Sequence, residues 1–203
     1  MKPFSLASRL ACLVALFLCL GATANAAEPG AGMFEEAVLV AGEQLRLQGG
    51  GLTEGVGIYK RSRHRIALGM YLVQRKNTPE DVIKAPGAKR VTLKMQQEVE
   101  SEQLSRSFLN GIRNNLERAE RLKIAPQLLK FGEMFGSIPD FQKGDVVNVD
   151  WMPGSANTVL TLNGKKIGEF PERAFYDAFL LCFLGERPID EKLKGTFLGV
   201  RRD

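Results

Sequence analysis

The stretch TVLTLNGKKIGEF, residues 158–170, constrains the fold of this chain more than any other feature. Two runs typical of strands flank Asn163-Gly164, a pair that favours a two-residue type I′ turn with positive φ at both positions. Such a turn joins neighbouring antiparallel strands, so we predict a β-hairpin that ends at Pro171. The fold must therefore contain an antiparallel sheet.

Apolar and polar residues alternate in several other stretches, as expected of strands that bury one face of a sheet. The strands predicted on this basis span residues 37–40, 44–48, 59–73, 89–96 and 147–151. Gly49-Gly50-Gly51 is predicted to break the pattern after the second strand, because glycine permits backbone shapes that other residues avoid. A phosphate-binding loop would need a helix directly after these glycines, whereas a strand is predicted there.

A block of helices is predicted between the strands. Thr78 and Pro79 favour the start of a short helix, and Ser101 is predicted to cap a longer one. Helical spacing predicts these buried stripes: Leu104, Phe108 and Ile112; Leu128, Leu129, Met134 and Phe135; Phe175, Ala178, Phe179 and Cys182 or Phe183. A last short helix is predicted over residues 189–198. Strands interrupted by helices indicate one α+β domain, with helices on one face of the sheet.

The first 26 residues have the layout of a secretory signal peptide. Met1 to Arg9 is a short basic region, residues 10–20 are apolar, and small residues follow as far as Ala26. The apolar run is about half the roughly 20 residues that a membrane-spanning helix needs. We therefore expect cleavage after Ala26 to release residues 27–203 into the periplasm as a single domain that does not span the membrane.

Charge and cysteine content narrow the functional classes. Cleavage would remove Lys2 and Arg9 and lower the formal net charge from +5 to +3, which does not indicate nucleic-acid binding. Cys182 would remain as the single cysteine, in an apolar stretch that predicts a buried thiol and no internal disulfide. His64 is the only histidine, and the carboxylates lack metal-like spacing, so neither a metal ion nor another cofactor is expected.

The stretch YKRSRHRIALGMYLV, residues 59–73, changes abruptly from basic to apolar. Alternation in a strand would place Arg61, Arg63 and Arg65 on one face, and Ile66 and Leu68 on the other. The apolar face is expected to meet the core, so the arginines would face solvent or a shallow second layer. They are either candidate contacts for an anion or the solvated end of a strand.

Five segments that cover nearly all of residues 27–203 resemble one family of proteins. They are LRLQGGGL, IALGMYLV, KRVTLKMQQEVESEQLSRSFLNGI, QKGDVVNVDWMPGSANTVLTLNGKKIGEFP and FYDAFLLCFLGERPIDEKLKGTFLG. In this order they resemble the exported bacterial chalcone isomerase-like proteins. The resemblance implies an open-faced β-sandwich, in which helices pack on one face of a long antiparallel sheet.

The resemblance also implies where a site would lie. In plant members of the family, the cleft between sheet and helices either cyclises chalcones to flavanones or holds a fatty acid. An arginine on an early strand polarises the ketone or binds the carboxylate, and a tyrosine near the start of a helix assists it. In this chain the arginine position falls at Thr53 or Tyr59, and the tyrosine position at Leu104. An asparagine expected two helical turns further falls near Gly111, with Asn110 beside it.

These replacements predict the family's cleft without its catalytic groups. We expect a non-catalytic protein that binds a small apolar or amphipathic molecule, such as a fatty acid, in a cleft lined by Thr53, Tyr59, Leu104, Phe108 and Gly111. One alternative is an enzyme, either the isomerase or a proton-transfer catalyst that uses Tyr59 and a nearby arginine. Another is an interaction module whose basic strand binds an envelope protein or anionic lipid headgroups.

Overall fold

The computed structural model describes residues 31–54 and 65–199. The predicted signal peptide and three candidate site residues, Tyr59, Arg61 and Arg63, lie outside these ranges, as does His64. Arg65 begins a strand, but its side chain is also outside the described part. The described strands form one antiparallel sheet whose spatial order follows the chain: β1 (Ala37–Val40), β2 (Glu43–Glu54), β3 (Arg65–Leu72), β4 (Lys89–Met95), β5 (Val146–Met152), β6 (Asn157–Leu162) and β7 (Lys165–Pro171).

Helices cover one face of this sheet, which confirms the predicted α+β, open-faced β-sandwich. A 3₁₀ turn, Ala31–Met33, precedes β1, and the last predicted helix is shorter than expected. The helices are α1 (Pro79–Lys84), α2 (Ser101–Asn115), α3 (Arg118–Lys123), α4 (Ala125–Ser137), α5 (Arg173–Leu184) and α6 (Glu191–Phe197).

The main core lies between the sheet and the helices. Ile66 and Leu68 of β3 are buried in it, which confirms the face predicted from alternation. Opposite the sheet, the ring of Phe108 in α2 lies 5.2 Å from Phe179 and 5.9 Å from Phe183 of α5. Burying each such large side chain contributes about 1.5–3 kcal/mol. These contacts hold α2 and α5 together above the sheet.

The other face of the sheet carries a smaller apolar layer. The ring of Phe34 lies across β2 and β3, and a Cβ added at Gly50 or Gly69 would be only 2.8 Å from it. The Tyr71 hydroxyl donates to the Glu35 carbonyl over 3.2 Å, and burial raises the pKa of this tyrosine to about 12. The residues before β1 are thus fastened to the sheet, as a shallow second layer.

The prediction that the three glycines interrupt the strand pattern is wrong, because β2 continues through Gly49, Gly50 and Gly51. A Cβ at Gly49 would collide with the backbone of Thr196 in α6, and one at Gly50 would meet Phe34 on the opposite face. The glycines therefore let two segments approach the strand closely. The need for glycine at these positions therefore comes from packing against distant segments and not from the local sequence.

The local turn and capping predictions have mixed outcomes. Asn163 and Gly164 have φ values of 49° and 80°, which confirms the hairpin turn. Thr78 caps α1 by accepting from the Asp81 amide over 3.1 Å, as predicted. Ser101, however, is the first residue of α2 and does not cap it. Its hydroxyl instead donates to the Ile138 carbonyl over 3.0 Å.

Helices α3 and α4 differ most from expectation. Helix α3 was not predicted as a separate helix, and it buries no residue. Leu129 of α4 was predicted to face inward, but it is 65% exposed. The buried stripe of α4 follows Gln127, Phe131 and Phe135 at four-residue spacing, and Leu129 lies halfway around the helix from it.

Candidate functional site

Thr53 holds the first candidate position for the family's arginine. It lies on β2 opposite Ile66 of β3 and is 1% exposed. Its hydroxyl donates to Asp190 Oδ2 over 3.0 Å. Asp190 Oδ1 accepts from the amides of Lys192 and Leu193 and so caps α6. Both carboxylate oxygens therefore have partners, and Thr53 connects β2 to the start of α6.

Leu104, Phe108 and Gly111 are buried residues of α2, and the burial of Leu104 and Phe108 confirms the stripe predicted from spacing. Leu104, at the tyrosine position, presents an apolar side chain to the core. Phe108 packs on α5, and its carbonyl is 3.4 Å from Cys182 Sγ. Cys182 is buried, as predicted, and burial raises the pKa of its thiol. Leu104, Phe108 and Gly111 themselves carry no side-chain proton donor, although Ser105 and Ser107 of the same helix are also buried.

Gly111 allows α5 to approach α2 closely. A Cβ added at Gly111 would lie 3.0 Å from Cys182 Sγ and 3.4 Å from Ile189 Cδ1. Ile189 is held in place by its amide, which donates to the Cys182 carbonyl over 2.8 Å. The volume where the resemblance places an asparagine is thus occupied by α5 and by the segment before α6.

The connection between α5 and α6 links the two sides of the candidate site. Ile189 meets Gly111 on α2, and the next residue, Asp190, meets Thr53 on β2. The structure therefore brings Thr53 and Gly111 to opposite sides of one short segment, while Leu104 and Phe108 face the aromatic core. The charged group beside Thr53 is a carboxylate, where the family chemistry would use a guanidinium.

Arg90 of β4 is committed to another partner. Its Nε and Nη2 each donate over 2.6 Å to Asp150 of β5, on the face of the sheet away from α2. Burial raises the pKa of Asp150, although the bound guanidinium partly opposes this. Arg90 therefore supports the sheet and does not reach the candidate site.

A charged cluster at the start of β4, in which Lys89 is buried and Arg173 and Asp177 are partly exposed, was missed by the sequence analysis. Lys89 is 1% exposed, and its ammonium donates to the Ile83 carbonyl over 3.2 Å. Arg173 of α5 donates to the same carbonyl over 2.5 Å and lies 3.4 Å from Asp177. Burial, followed by the charge of Arg173, lowers the pKa of Lys89 to about 8, and Asp177 partly offsets this. Lys89 is two residues before Val91 and so lies on the same, buried face of β4; this alternation could have revealed that Lys89 is buried.

Tyr176 is the buried tyrosine of α5. Its ring lies 6.1 Å from that of Trp151, and its hydroxyl has no hydrogen-bond partner among residues 31–54 and 65–199. Burial, with the nearby Asp150 and Asp177 carboxylates, raises the pKa of the hydroxyl well above its usual value. A hydroxyl in this state keeps its proton, so it does not act as a base.

A groove of about 800 Å³ lies elsewhere, between α1, the carboxyl ends of α2 and α5, and α6. Its apolar walls include Ile83, Leu116, Leu181 and Leu184, and its rim carries both signs of charge, from Lys84, Arg187 and Lys194 and from Glu80, Glu117 and Glu186. The groove is within the size range of small-molecule sites. No sequence pattern indicated it, because four separate segments form it.

Residues 31–54 and 65–199 show neither a metal-binding cluster nor a membrane-spanning helix. Those residues contain no group of three or more His, Cys, Asp or Glu side chains placed to hold a metal ion. They also contain no helix that is long and apolar enough to cross a membrane. The anion contacts expected of Arg61, Arg63 and Arg65, and the role of Tyr59, stay predictions.

Comparisons with known proteins agree on the fold. A model of the chalcone isomerase-like family matches residues 26–199. The crystal structure of a fatty-acid binding protein from Arabidopsis thaliana is similar, with a TM-score of 0.62 and 16% sequence identity, over 81% of this chain and 90% of that chain. At this identity, the likeness shows the fold alone. No curated protein sequence matches the chain significantly.

Proposed function

The chain belongs to the chalcone isomerase-like family, and on this basis we propose that it is a non-catalytic periplasmic protein that binds a small amphipathic molecule of the fatty-acid kind. The observation that carries the non-catalytic part is the Thr53–Asp190 pair. Cyclisation of a chalcone needs donors, preferably cationic, aimed at the developing oxyanion. At Thr53 the hydroxyl already donates to a carboxylate, and a negative charge there would oppose an enolate.

The tyrosine position supports the same conclusion. Leu104 carries neither a proton donor nor an acceptor, and it is buried against the core. Gly111, at the asparagine position, is filled by neighbouring side chains. An active site would thus lack three of the polar groups that the resemblance implies, while Leu104 and Phe108, which are 1% and 2% exposed, keep this side of α2 apolar.

Ligand binding is supported by the likeness to a protein that is described as fatty-acid binding. In our proposal, the acyl chain lies along the apolar face of α2 near Leu104 and Phe108. The basic residues Arg61, Arg63 and Arg65 are the candidates to bind its carboxylate, since a guanidinium gives paired, charged hydrogen bonds.

A pair of matched substitutions tests the location of the ligand. Delipidated protein is titrated with a fluorescent fatty acid, which is then displaced by an unlabelled one. Leu104→Phe adds volume at a buried position of the proposed site and is expected to weaken binding about tenfold. Circular dichroism verifies that this variant is folded, because overpacking also destabilises a core. Leu116→Phe makes the same change in the groove at the helix ends and is expected to leave binding unchanged. The reverse pattern would move the site to the groove, and no binding by the unmodified protein would contradict the proposal.

The absence of catalysis is tested with a chalcone. We expect the protein to close the substrate no faster than buffer alone. An acceleration that Tyr59→Phe abolishes would instead establish the enzymatic alternative.

The location in the cell is tested by fractionation. The protein is expected in the periplasmic fraction, with a mature chain that begins at Ala27. A chain that stays in the cytoplasm with residues 1–26 attached would contradict the periplasmic part of the proposal.

A further inference from the structure

Strand β1 forms one edge of the described sheet, and β2 is its one neighbour there. The two strands are antiparallel, so residues that bond to the neighbouring strand alternate with residues that do not. The Glu36 carbonyl, just before β1, accepts from the Leu47 amide of β2 over 2.9 Å. Two and four residues further on, Val38 and Val40 therefore direct their backbone groups at β2.

Ala37 and Leu39, the alternate residues of β1, direct their backbone N–H and C=O groups away from β2. Within residues 31–54 and 65–199, no hydrogen bond occupies these groups. The four residues of β1, AVLV, are all apolar, and Leu39 is 71% exposed. Proteins usually protect a sheet edge with charged residues or proline, and β1 contains neither. This edge can therefore accept another strand.

The opposite edge of the sheet, β7, is protected by α4. Lys130 of α4 donates to the Glu169 carbonyl over 2.9 Å, and Gln127 donates to the Pro171 carbonyl over 3.5 Å. Pro171 also has no N–H to offer to a further strand. Pairing of β1 with β7 of another copy would build an open-ended chain of sheets. Helix α4 blocks that arrangement, which leaves β1 as the edge that is free to pair.

We propose that β1 pairs with β1 of a second copy, antiparallel, about a two-fold axis at Val38. In this register Ala37 of each copy bonds to Leu39 of the other, so the outward N–H and C=O groups of both residues find partners. Val38 lies opposite Val38 in a pair that is not hydrogen bonded. The two Leu39 side chains lie diagonally across the axis on one face, within reach of each other. Both copies use the same patch, so the interface closes as a dimer.

The charges beside β1 fit this register. Glu35 and Glu36 are exposed and precede the strand. In the proposed pairing Glu36 lies opposite Val40 of the second copy, and Glu35 lies opposite Ala41. No carboxylate of residues 35–41 therefore faces another, which would be unfavourable. Outward backbone groups, apolar side chains and charges all match themselves in one register, which identifies a second copy as the occupant of this edge.

Cysteine cross-linking tests the register. In an antiparallel pair that is not hydrogen bonded, the facing residues lie within the range that a disulfide spans. Val38→Cys is therefore expected to give a disulfide-linked dimer on mild oxidation of the protein recovered from expressing cells. Leu39→Cys is the matched control at a more exposed position, and the two copies of residue 39 are about 7–8 Å apart, too far for a disulfide. The unmodified protein gives the background from its own cysteines, of which Cys182 is buried.

Analytical ultracentrifugation over a series of protein concentrations measures the dimer itself. Leu39→Lys places a charge on the edge and is expected to raise the dissociation constant of the dimer about tenfold. Leu129→Lys makes the same change at a leucine of α4 that is 65% exposed, and it should leave the constant unchanged. Circular dichroism verifies that each variant is folded.

Three outcomes would overturn the proposal. The first is an unmodified protein that stays monomeric at every concentration. The second is a dimer that Leu39→Lys and Leu129→Lys affect equally. The third is cross-linking of Leu39→Cys to the same extent as Val38→Cys, because random collision would explain both.

Discussion

Replacement of Lys89 by methionine is expected to stabilise the protein at neutral pH. The ammonium group is almost fully buried at the start of β4, where it donates to the Ile83 carbonyl. Arg173, a second cation, donates to the same carbonyl, so that acceptor keeps a partner when Lys89 is replaced. Methionine has a similar length and needs no solvation. Such replacements of buried charges by apolar residues are often neutral or stabilising.

The size of the effect follows from the pKa of Lys89, which is lowered from 10.5 to about 8. The difference corresponds to a cost of about 3 kcal/mol for keeping the charged form in the folded state. This cost is fully present below pH 8, where both states are protonated. It disappears as pH rises towards 10.5, because the folded state releases its proton first. Loss of the hydrogen bond subtracts about 1 kcal/mol, which leaves a net gain of about 2 kcal/mol at pH 7.

Chemical denaturation of both proteins at pH 7 and pH 10 measures this difference. The Lys89→Met variant should be more stable by about 2 kcal/mol at pH 7, and its advantage should be lost by pH 10. Tyr71 and Cys182 also titrate in alkali, but they do so in both proteins and cancel in the comparison. A Lys143→Met control, at an exposed loop residue, should show no such pH dependence. A variant that is destabilised at pH 7, or a difference that does not vary with pH, would refute the reasoning.

Three further substitutions test the packing of the site. Gly111→Ala would usually favour a helix, but the contact with Cys182 should make it destabilising by about 1–3 kcal/mol in urea denaturation, and a stabilised variant would contradict the packing. Thr53→Val removes the hydrogen bond to Asp190 and should cost about 1–2 kcal/mol in the same assay; an unchanged midpoint would argue against the link. Gly49→Ala should lower the thermal midpoint by several degrees because α6 must shift, and a native midpoint would exclude the close approach.

The parts of the fold that could be predicted were those set by local chemistry. Asn163 and Gly164 make the hairpin turn because their own conformational preferences meet its geometry. Ile66 and Leu68 face the core because alternation is a property of any strand. The continuation of β2 through Gly49 could not be predicted, since its cause is the backbone of α6, more than a hundred residues later in the chain.

In the candidate site, too, the features set by local sequence could be predicted and those set by distant segments could not. Spacing placed Leu104 and Phe108 on one helix face, and the resemblance pointed to Thr53 and Gly111. Ile189 and Asp190 fill the space between Gly111 and Thr53. They belong to the connection between α5 and α6, and the sequence of that connection does not indicate where it packs. The burial of Lys89 could have been predicted because it alternates in step with the buried residues of β4, but its charge suggested an exposed side chain.

The strand order of the sheet has a consequence for how the molecule assembles. Each strand pairs with the strand that precedes it in the chain, so a growing sheet can add one strand at a time as synthesis proceeds. Helix α6 breaks this progression, because it returns from the carboxyl end to cover β2. Until α6 returns, the surface of β2 around Gly49 lacks the partner that covers it in the folded protein. Packing of α6 therefore completes the surroundings of β2. Contacts between segments this far apart in the chain are of the kind that slows folding.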